Sequence, residues 1–242
     1  MKTPALVSLV VLGSLVCACG GGGGGGLDPV FAVPLLDKPF GLAVFSGHVI
    51  DHPKFPLVPG TRTIFESATA GGLERVVVEV TRSTKVIVGV TCVEVHDTGF
   101  LNGSLTEDTL DWYAQDGAGN VWYFGEDSTK FLNGVIIGTE GSWRAGVGGA
   151  VAGIVMLAAP AVGQAYAQED APGAAQDRAY VVSLADSVTV PVATYTGCLH
   201  TRDFTPIDPD NIEEKFYATG VGVVLELDAD GARLQLIAIE HF

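Results

Sequence analysis

Basic side chains are scarce in this 242-residue chain: 13 Lys and Arg stand against 28 Asp and Glu, a formal charge of −15 at pH 7. A surface of that sign repels phosphate backbones and anionic headgroups, which argues against nucleic-acid binding and against polybasic docking on membranes. Long apolar runs are missing too. The most apolar stretch, Ala5–Val16, falls well short of the ~20 residues of a bilayer-spanning helix. No GxSxG and no ordered Ser–His–Asp set supports a serine nucleophile. No CxxC or helical HxxxH pair supplies a zinc site: His48 and His52 lie four apart, but Pro53 follows directly and disfavours a helix there. The composition implies no cofactor and no metal. Amphipathic helices are also absent. Ala145–Ala161 is alanine-rich, but Gly146, Gly148, Gly149 and Gly153 each cost a helix about 1 kcal/mol. That segment reads as a loop leading to a short buried strand at Ile154–Leu157.

What is present begins at the N-terminus. Lys2, the apolar stretch Ala5–Val16 and the junction Ala18-Cys19 read as a lipoprotein signal spanning residues 1–18. Cys19 is then the lipidated first residue of the mature chain, which carries 12 Lys and Arg against 28 acids once Lys2 is removed. The glycines from Gly20 to Gly26 read as a flexible tether, so that residues 19–40 form the lipidated lead and residues 41–242 one β domain. The expected location is the bacterial cell envelope, with the membrane engaged through the N-terminal lipid. Gly20 lacks the aspartate that marks inner-membrane retention, which favours the outer membrane. Cys92 and Cys198 remain, in a compartment that permits a disulfide between them, with two free buried thiols as the alternative.

Residues 27–60 hold six of the twelve prolines and read as an irregular lead-in packed across the domain. From Thr61 onward the period is two. Arg75–Val80, Lys85–Val95, Asp111–Asp116, Val121–Glu126, Ile154–Leu157, Tyr180–Leu184, Val188–Arg202, Glu214–Tyr217, Val221–Leu227 and Arg233–Ile239 read as strands. The expected fold is mainly β: a strongly curved antiparallel sheet or partly open barrel of about ten strands, with little or no helix. Such a sheet has to curl, close or cover its edges.

The densest motif is the hairpin Asp111–Glu126, which carries Trp112, Tyr113, Trp122, Tyr123 and Phe124 around the turn Gly117-Ala118-Gly119-Asn120. Strand alternation sends Trp112, Trp122, Phe124 and Glu126 to one side and Asp111, Tyr113 and Tyr123 to the other. Cross-strand aromatic packing accounts for such a hairpin without any ligand. The functional alternative is an apolar pocket bordered by these rings and by Ile154 or Met156, suited to a small amphiphile or a glycan. Asp116, Glu126, Glu169, Asp177 and Lys215 form a second candidate group, an ion-pair network, a calcium site built from carboxylates and carbonyls, or a carboxylate acid/base pair of the kind a hydrolase needs. Asp208–Asn211 and Asp228–Gly231 each match half a calcium loop but lack the closing glutamate, so they read as turns.

The segments Pro53–Thr61, Asp111–Glu126, Gly141–Gly146 and Lys215–Gly222 resemble a widespread group of uncharacterised secreted or lipid-anchored bacterial proteins. The resemblance spans roughly residues 50–240 and implies a mostly β domain; it brings no activity and no catalytic residues. The last segment is also similar, more weakly, to the closing strands of curved-sheet periplasmic lipoprotein carriers. The function expected is a lipid-anchored envelope binding or interaction module, with a carboxylate-dependent hydrolase and a purely structural lipoprotein as the alternatives.

Overall fold

The computed structural model describes residues 28–242 apart from Ser46 and His48. The signal segment, Cys19, the glycine tract and the His48 half of the histidine pair lie outside the described residues. Among the described residues fifteen strands follow one another: β1 (Thr61–Thr69), β2 (Gly72–Ile87), β3 (Val90–Leu101), β4 (Ser104–Gln115), β5 (Val121–Leu132), β6 (Val135–Gly138), β7 (Trp143–Arg144), β8 (Val151–Met156), β9 (Ala165–Ala167), β10 (Glu169–Asp170), β11 (Arg178–Val190), β12 (Ala193–Phe204), β13 (Ile212–Ala218), β14 (Gly222–Leu227) and β15 (Arg233–His241). Among the described residues helix is confined to single 3-10 turns at Pro29–Ala32 and Phe40–Leu42.

All the strands join one sheet in the order β10-β8-β5-β4-β3-β2-β1-β15-β14-β13-β12-β11-β9, with β6 and β7 also paired to β5. The ladders between these strands are antiparallel. The two ends of this path, β9 and β10, are separated in the chain by Gln168 alone. The sheet therefore curls until its ends are neighbours, although the ladder is not closed. Where they meet, Gly153 of β8 lies against the Gln168 carbonyl so closely that a Cβ would collide with it.

The strand count is fifteen rather than ten because β1, β6, β7, β9 and β10 stand outside the expected runs, while two of those runs straddle a turn, which moves their bounds and adds no strand. Val88-Gly89, with φ of 42° and 84°, forms a two-residue turn inside the apolar run Lys85–Val95, so that run belongs to two strands. In the same way Pro191-Val192 divides Val188–Arg202 between β11 and β12. The strands not anticipated are β1 and the short segments β6, β7, β9 and β10, four of which hold two to four residues, too few to show a period. Ala145–Ala161 supplies β8, a strand hydrogen-bonded to β5 through Val121↔Met156 and Trp122↔Ile154.

The lead-in straps the outside of the sheet. Phe31 packs edge-on against Phe204 at the end of β12, and the Leu36 amide donates to the Ala165 carbonyl at 2.7 Å. Phe40 and Phe45 then cover Trp122 and Phe124, and Phe55 caps the inside against Tyr113 with centroids 5.7 Å apart. The inside of the curl is divided. Val78, Val80, Val93, Val95, Phe65 and Leu199 fill one end, while the other end buries Glu74, Asp97, Asp111, Glu126, Asp203, Glu213, Lys215 and Glu226.

Candidate functional site

The aromatic hairpin uses its two faces differently. On the inside, Tyr113 and Tyr123 are register partners whose rings stack 4.7 Å apart, both fully buried. On the outside, Trp122 and Phe124 each meet Phe40 at 5.6 Å. Trp112 is covered by the Lys85 ammonium, 3.6 Å above its ring. Met156 is buried against β5 and lines no pocket among the described ones, whereas Ile154 does.

Glu126 departs from simple alternation. Between the pairs Asp111↔Glu126 and Tyr113↔Tyr123, one residue of β4, Trp112, lies opposite two of β5, Phe124 and Gly125. This bulge is centred on Gly125, whose φ of 128° suits glycine and where a Cβ would run into the Trp143 carbonyl. The extra residue turns Glu126 to the inside. There the Tyr123 hydroxyl lies 2.5 Å from Asp111 Oδ1 and 2.8 Å from Glu126 Oε2. A hydroxyl has one proton to give, so at least one of the two carboxyls must itself carry a proton. Burial agrees: it pushes Asp111 up to about 7 and Glu126 well above the usual carboxylate range.

The other acids extend this group unevenly. Glu169 accepts from Trp143 Nε1 at 2.9 Å, and burial together with the Asp177 and Glu126 charges raises it well above the usual range. Desolvation pushes Asp177 up to about 7. Lys215 faces Glu226 across the β13–β14 ladder and lies 3.5 Å from Asp203 and 3.8 Å from Glu213. Burial pushes Glu213 up to about 7 and Glu226 well above its usual value. Burial works against the charge on Lys215, but Glu226, Asp203 and Glu213 outweigh it and raise the ammonium well above the usual lysine value. Asp116 does not belong here: it closes the β4–β5 turn, accepting from Asn120, the Ala118 amide and Trp122 Nε1 at 2.8 to 2.9 Å. Those hydrogen bonds overcome its burial and hold it below the usual range.

Asp203, Glu213 and Glu226 were not singled out from the sequence, although one acid inside Val-Val-Leu-Glu-Leu is a signal of burial. This interior is closely filled: the void beside Glu74, Glu213 and Glu226 measures about 10 Å³. Among the described residues no group of three or more His, Cys, Asp or Glu is arranged to hold a metal. The carboxylates are therefore placed as a buried network rather than as a substrate-facing pair. Cys92 and Cys198 are both buried as free thiols, which corrects the expected disulfide; they sit on β3 and β12, with five or more strands between them along either arc of the sheet.

The accessible site lies on the outer face. A cleft of about 250 Å³ runs between the strap at Leu36–Phe40 and the edge formed by β8, β9 and β10. Phe40, Trp122, Ile154 and Tyr166 form its floor and walls, with Asp37, Lys38 and Asp170 exposed at its rim. The volume falls just under the ~300 Å³ at which drug-sized sites begin. A second, apolar void of about 70 Å³ under Phe55 is smaller still.

No protein-family model matches the chain, and no curated protein matches it. Among solved structures it is similar to a protein named as a presumed lipoprotein of Parabacteroides distasonis ATCC 8503, at 11% identity and a TM-score of 0.44, over 81% of this chain and 100% of that one.

Proposed function

We propose that this chain is a lipid-anchored binding module of the bacterial cell envelope, held at Cys19 and taking a small amphiphile in the strap-covered cleft. The carrying observation is the cleft of about 250 Å³, apolar inside through Phe40, Trp122 and Ile154 and charged at its rim through Asp37, Lys38 and Asp170. That division of chemistry suits a short acyl or alkyl chain with a polar head. A glycan is the poorer fit, because sugars stack on open ring faces and Trp122 is only 2% exposed. The hydrolase alternative is weaker again: Asp111 and Glu126 share a tyrosine hydroxyl deep inside the sheet, where no substrate reaches them.

The test is titration of the full chain with decanoate and with octyl glucoside below its micelle concentration, read by tryptophan emission. A saturable change is expected, and Ala152→Leu, which fills the cleft, should abolish it while the fold persists. No saturable change, or an unaltered one in the filled variant, leaves the structural-lipoprotein reading in its place.

A further inference from the structure

The hairpin joining β5 to β6 carries apolar side chains on every side. Leu132, Val135, Ile136 and Ile137 are 54, 64, 62 and 54% exposed. Asn133 and Gly134, with φ of 53° and 78°, form a tight turn between them. Register pairs Leu132 with Val135 and Phe131 with Ile136, so neighbouring apolar pairs point to opposite faces of the same ribbon. A hairpin that only packs on a core needs one apolar face and leaves the other polar. Here both faces are apolar, and among the described residues β6 has no strand on its outer side. Such a ribbon suits an apolar medium around it more than a single flat partner.

Its position says which medium. The ladders carry the end of β5 through Glu107↔Lys130, Leu101↔Ser104, Thr69↔Gly72, Leu227↔Arg233 and Phe204↔Ile212 to the end of β12. Leu132 and Phe204 therefore stand on the same rim of the curled sheet. The described chain begins at that rim too, since Asp28 pairs with Arg202 and Phe31 packs on Phe204. Eight residues lie between Cys19 and Asp28, and the nine steps from one to the other reach about 30 Å when extended.

We propose that the Phe131–Ile137 hairpin inserts into the surface of the lipid bilayer, a second contact that seats this rim on the membrane. The proposal rests on the lipid anchor at Cys19 put forward above. The contact is apolar, in keeping with a net charge that anionic headgroups repel. A ribbon of this size reaches the headgroup and upper acyl region and stops there.

The test uses the full chain reconstituted in vesicles of phosphatidylethanolamine with a minor share of phosphatidylglycerol. Ile136→Cys and Val135→Cys, on opposite faces of the hairpin, are each labelled with a nitrobenzoxadiazole fluorophore. Val192→Cys, in the turn at the far end of β12, is the control; the native Cys92 and Cys198 are buried. Blue-shifted emission and several-fold slower iodide quenching are expected at both hairpin labels and not at residue 192. Equal quenching at all three sites, in protein that floats with the vesicles, overturns the hairpin contact and leaves the anchor standing. Protein that carries no lipid overturns the anchor, and its labels with added vesicles still decide the hairpin. Protection without any vesicles identifies a second copy paired at β6 as the occupant and overturns the lipid contact.

Discussion

Asp111 and Glu126 face each other across the β4–β5 ladder and both reach the hydroxyl of Tyr123. Two carboxyls and one phenol this close, shielded from water, hold together only while at least one of the carboxyls is neutral. The same logic runs round the interior to Glu169, Asp177, Glu213 and Glu226, with Lys215 as the balancing cation. The half of the curl nearer the rim is thus held by shared protons and one ammonium, where the other half is held by packed valines and aromatic rings.

Stability should fall as the pH rises. Asp111, Asp177 and Glu213 are pushed up to about 7 in the folded chain, against about 4 for unfolded carboxyls. Between those values the folded chain holds more protons than the unfolded one, so each group stabilises fully below about pH 4 and loses that contribution on the way to 7. Glu126, Glu169 and Glu226, which burial raises well above the usual carboxylate value, act in the same direction. Burial lowers His52, which therefore stabilises above about pH 6.5 and opposes this trend as the pH falls. Asp116 and Glu214, held low, act only in the acid range below about 4.5. Six raised acids outweigh one histidine. Urea unfolding at constant ionic strength should show the chain more stable at pH 5 than at pH 8, by on the order of several kcal/mol. A curve that is flat or rises toward pH 8 would show the acids to be solvated.

Gly125→Ala should remove the bulge that turns Glu126 inward. The new Cβ meets the Trp143 carbonyl, and a φ of 128° strains any L residue. Strain and overpacking together should cost about 2–4 kcal/mol. Gly103→Ala isolates the strain alone, since Gly103 has a φ of 79° and nothing within 4 Å of an added Cβ; it should cost about 1 kcal/mol. Equal losses in the two variants would show that the close approach to β7 matters little.

The bulge also marks where the sequence stops being readable. Period two and β-branched runs give the sheet, and its curl follows from the need to cover edges. The dipeptides Asn102-Gly103 and Asn133-Gly134 announce their turns outright. What period two cannot say is which face is inside when both carry polar residues. On β13, Glu213 and Lys215 are buried while Glu214 between them is partly exposed. Alternation also assigns Glu126 to the wrong side, because a single glycine shifts the phase of the strand. The cleft depends on a strap and on β8, far apart in the chain, and no local pattern joins Leu36–Phe40 to Val151–Ile154.

Cys92 and Cys198 should behave as two shielded free thiols. Burial pushes the Cys92 thiol up to about 12 and raises Cys198 as well, so neither presents a thiolate near neutrality. Aromatic disulfide reagents should react with them slowly in the folded chain and promptly in urea without reductant. In urea, Cys92→Ala and Cys198→Ala should each lower the thiol count by one. A bridge would give the opposite sign, since removing one partner frees the other and raises the count by one.

Lys215→Met tests whether the interior depends on its cation. The ammonium is 3% exposed, lies within 4 Å of Asp203 and Glu213, and faces Glu226 across the ladder. Methionine keeps the length of the side chain but leaves the carboxyls around it without a counter-charge. At pH 8, breaking a buried pair in this way should cost about 3–5 kcal/mol. At pH 5 the penalty should shrink, because Glu213 and Glu226, both raised by burial, are then neutral and need no partner. Urea unfolding of the variant and the parent at the two pH values gives the comparison directly. A loss that is the same at both would mean the lysine contributes packing rather than charge, and the network would then be held by hydrogen bonds and shared protons alone.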